Sequence, residues 1–117
     1  ATKIADIESG SPSDQRLKHQ VRPLNDAATK VQHLQAVRFK WKAFPRSGDQ
    51  IGLMAQDVQK IIPEAVSQDS QGIHRINYNC IVATLLETIK EQTKQMTVME
   101  KQLSEMDQRL SQLETRL

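Results

Sequence analysis

Aromatic side chains are almost missing from this chain, with one Trp, one Tyr and two Phe in 117 residues. Aromatics supply the largest buried areas, and small domains bury proportionally little surface. A monomeric core is therefore thin, and stability borrowed from partner chains is the first expectation. The lone cysteine, Cys80, excludes an internal disulfide; beside Ile81 and Val82 it reads as an inert core residue. No apolar run approaches the length of a membrane span, and the first ten residues lack the charged-then-apolar order of a signal peptide. The expected product is soluble and intracellular when made, with no membrane partner. Charge of one sign is lacking too: 16 Lys and Arg against 14 Asp and Glu leave a formal +2, scattered along the chain, so nucleic acid is not an expected partner.

Most catalytic patterns are also absent. There is no phosphate loop, no HExxH and no cysteine pair, and His19, His33 and His74 lack metal-ligand spacing, so neither a metal nor a cofactor is expected. The stretch Gly52 to Val58 (GLMAQDV) has no second glycine and no lysine, and reads as a strand-to-helix packing motif.

What is present is ordered along the chain. Residues 1–12 (ATKIADIESGSP) carry no apolar repeat and end in a Gly-Ser-Pro cluster, the composition of a linker or extended tail. A short helical turn is expected from Asp14 to Gln20, stopped before Pro23. A helix capped by Asn25 or Asp26 then carries Ala27, Ala28, Val31, Leu34 and Gln35 at helical spacing. The period changes to two at Val37, Phe39, Trp41 and Ala43, which predicts a half-buried strand. Pro45 to Asp49 forms a turn, Gln50 to Met54 a partner strand, and Ala55 to Ile62 a short helix with Val58, Ile61 and Ile62 inward, ended by Pro63. A hairpin around Ser70 to Gly72 joins Val66 to Ile73, Arg75 and Ile76.

The last segment has the strongest pattern. Val82, Leu85, Ile89, Gln92, Met96, Met99, Leu103, Met106, Leu110, Leu113 and Leu117 follow one another at alternating spacings of three and four, a heptad seam. Val82, Ile89, Met96, Leu103, Leu110 and Leu117 take position a; Leu85, Gln92, Met99, Met106 and Leu113 take position d. Arg109 at g faces Glu114 at e of a parallel, in-register neighbour. The competing reading folds this helix back on its own domain with the stripe as core. The seam does not itself choose between two and three strands.

One pair of side chains has the chemistry of a nucleophile and its base. Ser13 and Lys18 lie in SDQRLK, but residues five apart occupy different faces of a straight helix. Ser13 also suits a helix N-cap, placed just after Pro12. A serine hydroxyl needs a base to take its proton, and lysine serves only when its ammonium is destabilised by burial or by nearby positive charge, for which Arg16 is a candidate.

The order of motifs along the chain, SDQRLK, RPLNDA, FKWK, IGLMAQDVQKIIPEAV, INYNCIVATLLETIKEQ and then the heptads, resembles the peptidase S74 family, the intramolecular chaperone auto-processing domain. Members lie at the C-termini of bacteriophage tail spikes, tail fibres and neck appendages, and a related domain occurs in myelin regulatory factor. The resemblance covers about residues 13–117; Asp57 stands where the AQEV motif often has Glu. It implies an α+β fold, a small mixed helix/strand head followed by a long C-terminal helix in a parallel, trimeric coiled coil. Residues 1–12 would be the end of the parent protein, 13–80 the head and 81–117 the trimerisation helix.

The resemblance also implies that Ser13 is the nucleophile and Lys18 the base of a single-turnover self-cleavage between Pro12 and Ser13, with the bond after Ser13 as the alternative and Asp14 and Arg16 as supporting residues. The partners would be two further copies and the upstream portion of the same polypeptide, both folding client and substrate. The setting would be the host cytoplasm during phage assembly, with the domain released from the virion protein. Two rival functions stand beside this one: a trimerising cap that never cuts, and the self-cleaving domain of a membrane-tethered transcription factor.

Overall fold

The computed structural model describes residues 10–117; the linker expected over 1–12 lies outside the described residues for positions 1–9. The described chain is a small head on a long helix. Its radius of gyration is 22.0 Å, against about 13 Å for a compact domain of this length. In chain order the elements are a 3₁₀ turn Gln15–Leu17, helix α1 Ala27–Val31, strands β1 Val37–Phe39 and β2 Gln50–Gly52, helix α2 Ala55–Ile61, a second 3₁₀ turn Pro63–Ala65, strands β3 Val66–Gln68 and β4 His74–Ile76, and helix α3 Tyr78–Thr115.

Both sheets are two-stranded antiparallel hairpins, one pairing Arg38 with Ile51 and the other Ser67 with Arg75. The first elements of the head are shorter than their sequence patterns, for local reasons. Helix α1 stops at Val31 because the backbone tightens: His33 N donates to Lys30 O and Leu34 N to Val31 O, three-residue bonds that end a helix. Asp26 stands at its N-cap but makes no side-chain cap bond, and its φ is 61°. Strand β1 ends at Phe39 because the chain turns at Trp41, whose carbonyl accepts from Phe44 N. Strand β2 ends at Gly52 because the next amide, Leu53 N, donates to the Tyr78 hydroxyl at 3.3 Å. A Cβ at position 52 would lie 3.1 Å from that hydroxyl and 3.3 Å from the Phe39 ring, so a larger residue would push the ring or the hydroxyl aside by a few tenths of an ångström.

The second hairpin is tied by Asp69, whose Oδ1 accepts from Gln71 N and Ile73 N while Oδ2 pairs with Arg75. The Ile73 amide bond, ahead of the others, holds its carboxyl below the usual range. Asn77 then caps α3 by accepting from Asn79 N at 3.0 Å.

The core is small, as the shortage of aromatics predicts. Val58, Ile62, Ala65 and Ile81 are buried, with Leu34, Leu53, Ile61, Val66, Ile76 and Cys80 packed around them. Val58 is the largest side chain sealed from solvent. Val58→Ala is expected to lower head stability by about 2 kcal/mol, since two methyl groups leave and a cavity remains. Urea unfolding at fixed protein concentration checks this, with the midpoint moving and the slope unchanged.

Helix α3 carries two faces. One, through Ile81, Thr84 and Thr88, is buried under the head, and α1 lies along it with Ala27 inward. Thr84 and Thr88 hide their hydroxyls by donating to Cys80 O and Thr84 O. The other face is the heptad seam, and the head leaves it uncovered: Val82 is 62% exposed, Ile89 61% and Leu103 61%. The fold-back reading, with the stripe as the core of its own domain, does not hold, because the head packs on a different set of positions.

Candidate functional site

Ser13 and Lys18 meet although five residues separate them. The segment is not a straight helix but one 3₁₀ turn, closed by Leu17 N to Asp14 O at 3.0 Å and Lys18 N to Gln15 O at 3.2 Å. Lys18 leaves that turn with extended backbone, φ −117° and ψ 147°, which sends its side chain back across the turn. Its Nζ donates to Ser13 Oγ at 2.7 Å. The direction of that bond matters chemically. A protonated ammonium donates to the hydroxyl and withdraws electron density from it; only after losing a proton can the same nitrogen accept the hydroxyl proton.

Asp14, and not Ser13, caps the turn. Its Oδ1 accepts from Arg16 N at 2.8 Å and from Arg16 Nε at 3.1 Å, and its Oδ2 from Arg16 Nη2 at 2.9 Å. Capping therefore makes no demand on the Ser13 hydroxyl, whose partner is Lys18. The Arg16 side chain, then its amide, hold the Asp14 carboxyl below the usual carboxylate range, and Asp14 in turn raises Arg16. A depressed folded-state value keeps this clasp closed above the ordinary carboxylate pKa and opens it as pH falls through the depressed one. The clasp also occupies the one cation within the motif besides Lys18, so the Arg16 charge is balanced locally by Asp14. Ser13, Lys18 and the described upstream residues Gly10 to Pro12 are all exposed.

Asp14→Ala removes the cap and the fork while sparing the Ser13 and Lys18 side chains. Any cleavage of the chain at this site is expected to slow several-fold, with Asp14→Asn intermediate because its amide oxygen still accepts from Arg16 N. The rate of appearance of the shorter fragment, followed by mass, measures it.

Reading the sequence did not find the groove beside β1 and β2. It encloses about 910 Å³ and is lined by Phe39, Trp41, Phe44, Met54 and Tyr78 among others, with Phe39 and Trp41 edge to face at 4.9 Å. The signal was there, because the FKWKAF run puts three of the four aromatics within six residues. Of the histidines, His74 Nδ1 lies 3.4 Å from the Gln56 amide nitrogen. Among the described residues no three His, Cys, Asp or Glu side chains gather as a metal site, and no helix is long and apolar enough to cross a membrane.

Two relatives are similar to the chain over 96 residues at 33% identity: the Long tail fiber protein Gp37 of Enterobacteria phage K3 and that of Enterobacteria phage T2. The aligned part is 75% of this chain in both cases but only 8% and 7% of those fibre proteins. The family described as Peptidase_S74, chaperone of endosialidase, matches from Ser13 onward, over residues 13–67. The match thus begins at the serine that Lys18 contacts and takes in the clasp, both strands of the first hairpin and the buried Val58, and over these residues the chain is similar to the Peptidase_S74 family, the chaperone of endosialidase.

Proposed function

We propose that this chain is the intramolecular chaperone of a phage tail fibre or related tail protein, that it assembles as a parallel homotrimer through the α3 seam, and that it then releases itself by serine-lysine autoproteolysis at Pro12–Ser13. The observation that carries the cleavage reading is the 2.7 Å contact between Lys18 Nζ and Ser13 Oγ at the first residue of the family match. In this mechanism neutral Lys18 takes the hydroxyl proton and Ser13 Oγ attacks the Pro12 carbonyl carbon. The carbon–nitrogen bond breaks, and the nitrogen leaves protonated as the new amino terminus. Water then hydrolyses the ester, giving the Pro12 carboxylate and restoring the hydroxyl. Attack on the preceding carbonyl closes a small unstrained ring, whereas attack by Ser13 on its own carbonyl closes a strained smaller one, which favours the bond before Ser13. Backbone amides of the 3₁₀ turn are the oxyanion donors nearest in sequence.

Exposure of both side chains in the single chain ties cutting to assembly. In water an ammonium is well solvated and stays protonated; a partly dry interface between chains favours the neutral amine. Residues 13–80 then act as the head and 81–117 as the trimerising helix, in the host cytoplasm during virion assembly. The seam supplies the registration: three chains held side by side meet the loop-closure cost of starting a long β-structured trimer before that trimer exists. Release afterwards leaves the product unable to retrace its path.

A longer chain that includes upstream fibre sequence tests the reading. A fragment whose N-terminus is Ser13 is the expected product. A fragment starting at Asp14 moves the bond, and a stable, uncut trimer removes autoproteolysis and leaves the trimerising cap.

A further inference from the structure

The pairing of heptad positions with the head is informative. The buried residues Ile81 and Thr88 both occupy position g, and Thr84 occupies c, so the head sits on the c/g side of its own helix. In a parallel coiled coil the g position of one chain lies beside the e position of its neighbour five residues on. The e positions are Leu86, Thr93, Glu100, Asp107 and Glu114, and the g positions after Thr88 are Gln95, Gln102, Arg109 and Arg116. Where the head covers the helix, the facing e residues are uncharged, Leu86 and Thr93. Beyond the head every e residue is acidic, and the last two g residues are arginine, the usual charged flank of a seam.

A second feature falls on the same side. Between α1 and α3 runs a cleft of about 300 Å³ lined by Val31, Gln32, Thr88, Gln92 and Gln95 with others. It opens at Gln92, the one polar seam residue, and at two g positions. We infer that this cleft is the seat for a neighbouring copy: each head straddles two helices, packing on the c/g face of its own and receiving the e face of the next, with the partner's Thr93 against Thr88 and Gln32 and the partner's Leu86 against the part of the head over Ile81. The occupant is a second copy of this chain because the cleft is continuous with the seam, and the residues that would enter it are the uncharged part of an otherwise acidic row. Leu86 is 58% exposed in the single chain, and this contact covers it. Gln92 is polar because it lies at the mouth of a mostly polar cleft, which Glu91 also lines, and not in the middle of an apolar layer. The inference rests on the parallel assembly proposed above, and it makes the head complete only between chains.

Cross-linking tests it. Chains carrying Gln32→Cys and chains carrying Thr93→Cys, each with Cys80→Ser, are refolded together and treated with a short bismaleimide. Positions 32 and 93 are exposed, so neither change disturbs the core. Covalent dimers joining one chain of each type, and none when either type is refolded alone, are the expected result. Oligomers in sedimentation with no mixed cross-link overturn the straddling head and leave the assembly standing. Monomers in sedimentation overturn both.

Discussion

Ser13→Ala is expected to leave the longer chain whole while it still assembles, with no fragment of this domain's mass after prolonged incubation. Ala deletes the proposed nucleophile and little else, because Ser13 is exposed and the cap of the 3₁₀ turn belongs to Asp14. Lys18→Met is expected to match it. The methionine stem fills much the same space, but among the described residues no other side chain hydrogen-bonds the Ser13 hydroxyl to take its proton, a role worth about 10²–10⁴ in rate. Lys18→Arg separates base from charge: guanidinium keeps the positive charge and the bond to Ser13 Oγ but does not deprotonate, so it too is expected to be inactive. Rapid cleavage by Ser13→Ala would remove the serine from the mechanism. Activity in Lys18→Arg equal to wild type would assign Lys18 an electrostatic role instead.

How much of this was legible in the sequence depended on whether the signal was periodic or tertiary. The α3 seam repeats over five heptads, and a pattern sustained that long survives any local misreading; helix Tyr78–Thr115 carries it from Val82 to Leu113, while Leu117, expected as its last seam residue, lies beyond the helix end because Arg116 is the C-cap. The short elements were placed correctly but drawn too long. Periodicity in Val37 to Ala43 could not show that the hydroxyl of Tyr78, 25 residues beyond Leu53, would take the Leu53 amide and so leave β2 only three residues to offer β1. The Ser13–Lys18 contact was argued against by spacing on a straight helix. It forms because the helix is one turn long and Lys18 is extended. Arg16 illustrates the opposite limit: its charge was visible, but the fork that commits it to Asp14 is a matter of rotamers. What no pattern could give is the division of α3 into a face the head covers and a face it leaves bare, since Ile81 and Val82 are adjacent and equally apolar. Burial separates them, 6% against 62% exposed.

Leu103→Asp is expected to abolish assembly and, with it, the proposed cleavage, in a chain whose Ser13 and Lys18 are untouched. Leu103 lies beyond the head, at position a with Met99 and Met106 on either side, and is 61% exposed in the single chain. Burying it in a seam contributes about 2 kcal/mol per chain, and the substitution loses this three times over in a trimer. It also brings carboxylates together in an apolar layer, where each would have to be protonated or leave. The head, whose core is Val58, Ile62, Ala65 and Ile81, does not touch position 103 and is expected to stay folded. Among the described residues the second half of α3 lies exposed, without a packed partner, and, as a lone helix in water, is marginal, so helical signal should fall with assembly. Sedimentation read beside far-ultraviolet dichroism checks both. The variant distinguishes two ways of coupling the seam to the site. If the dry interface that deprotonates Lys18 forms only between chains, the monomeric variant stays uncut at any pH where the wild type is fast. If cleavage persists in the monomer, the 3₁₀ turn with its Asp14–Arg16 clasp is a sufficient active site, and assembly serves folding alone.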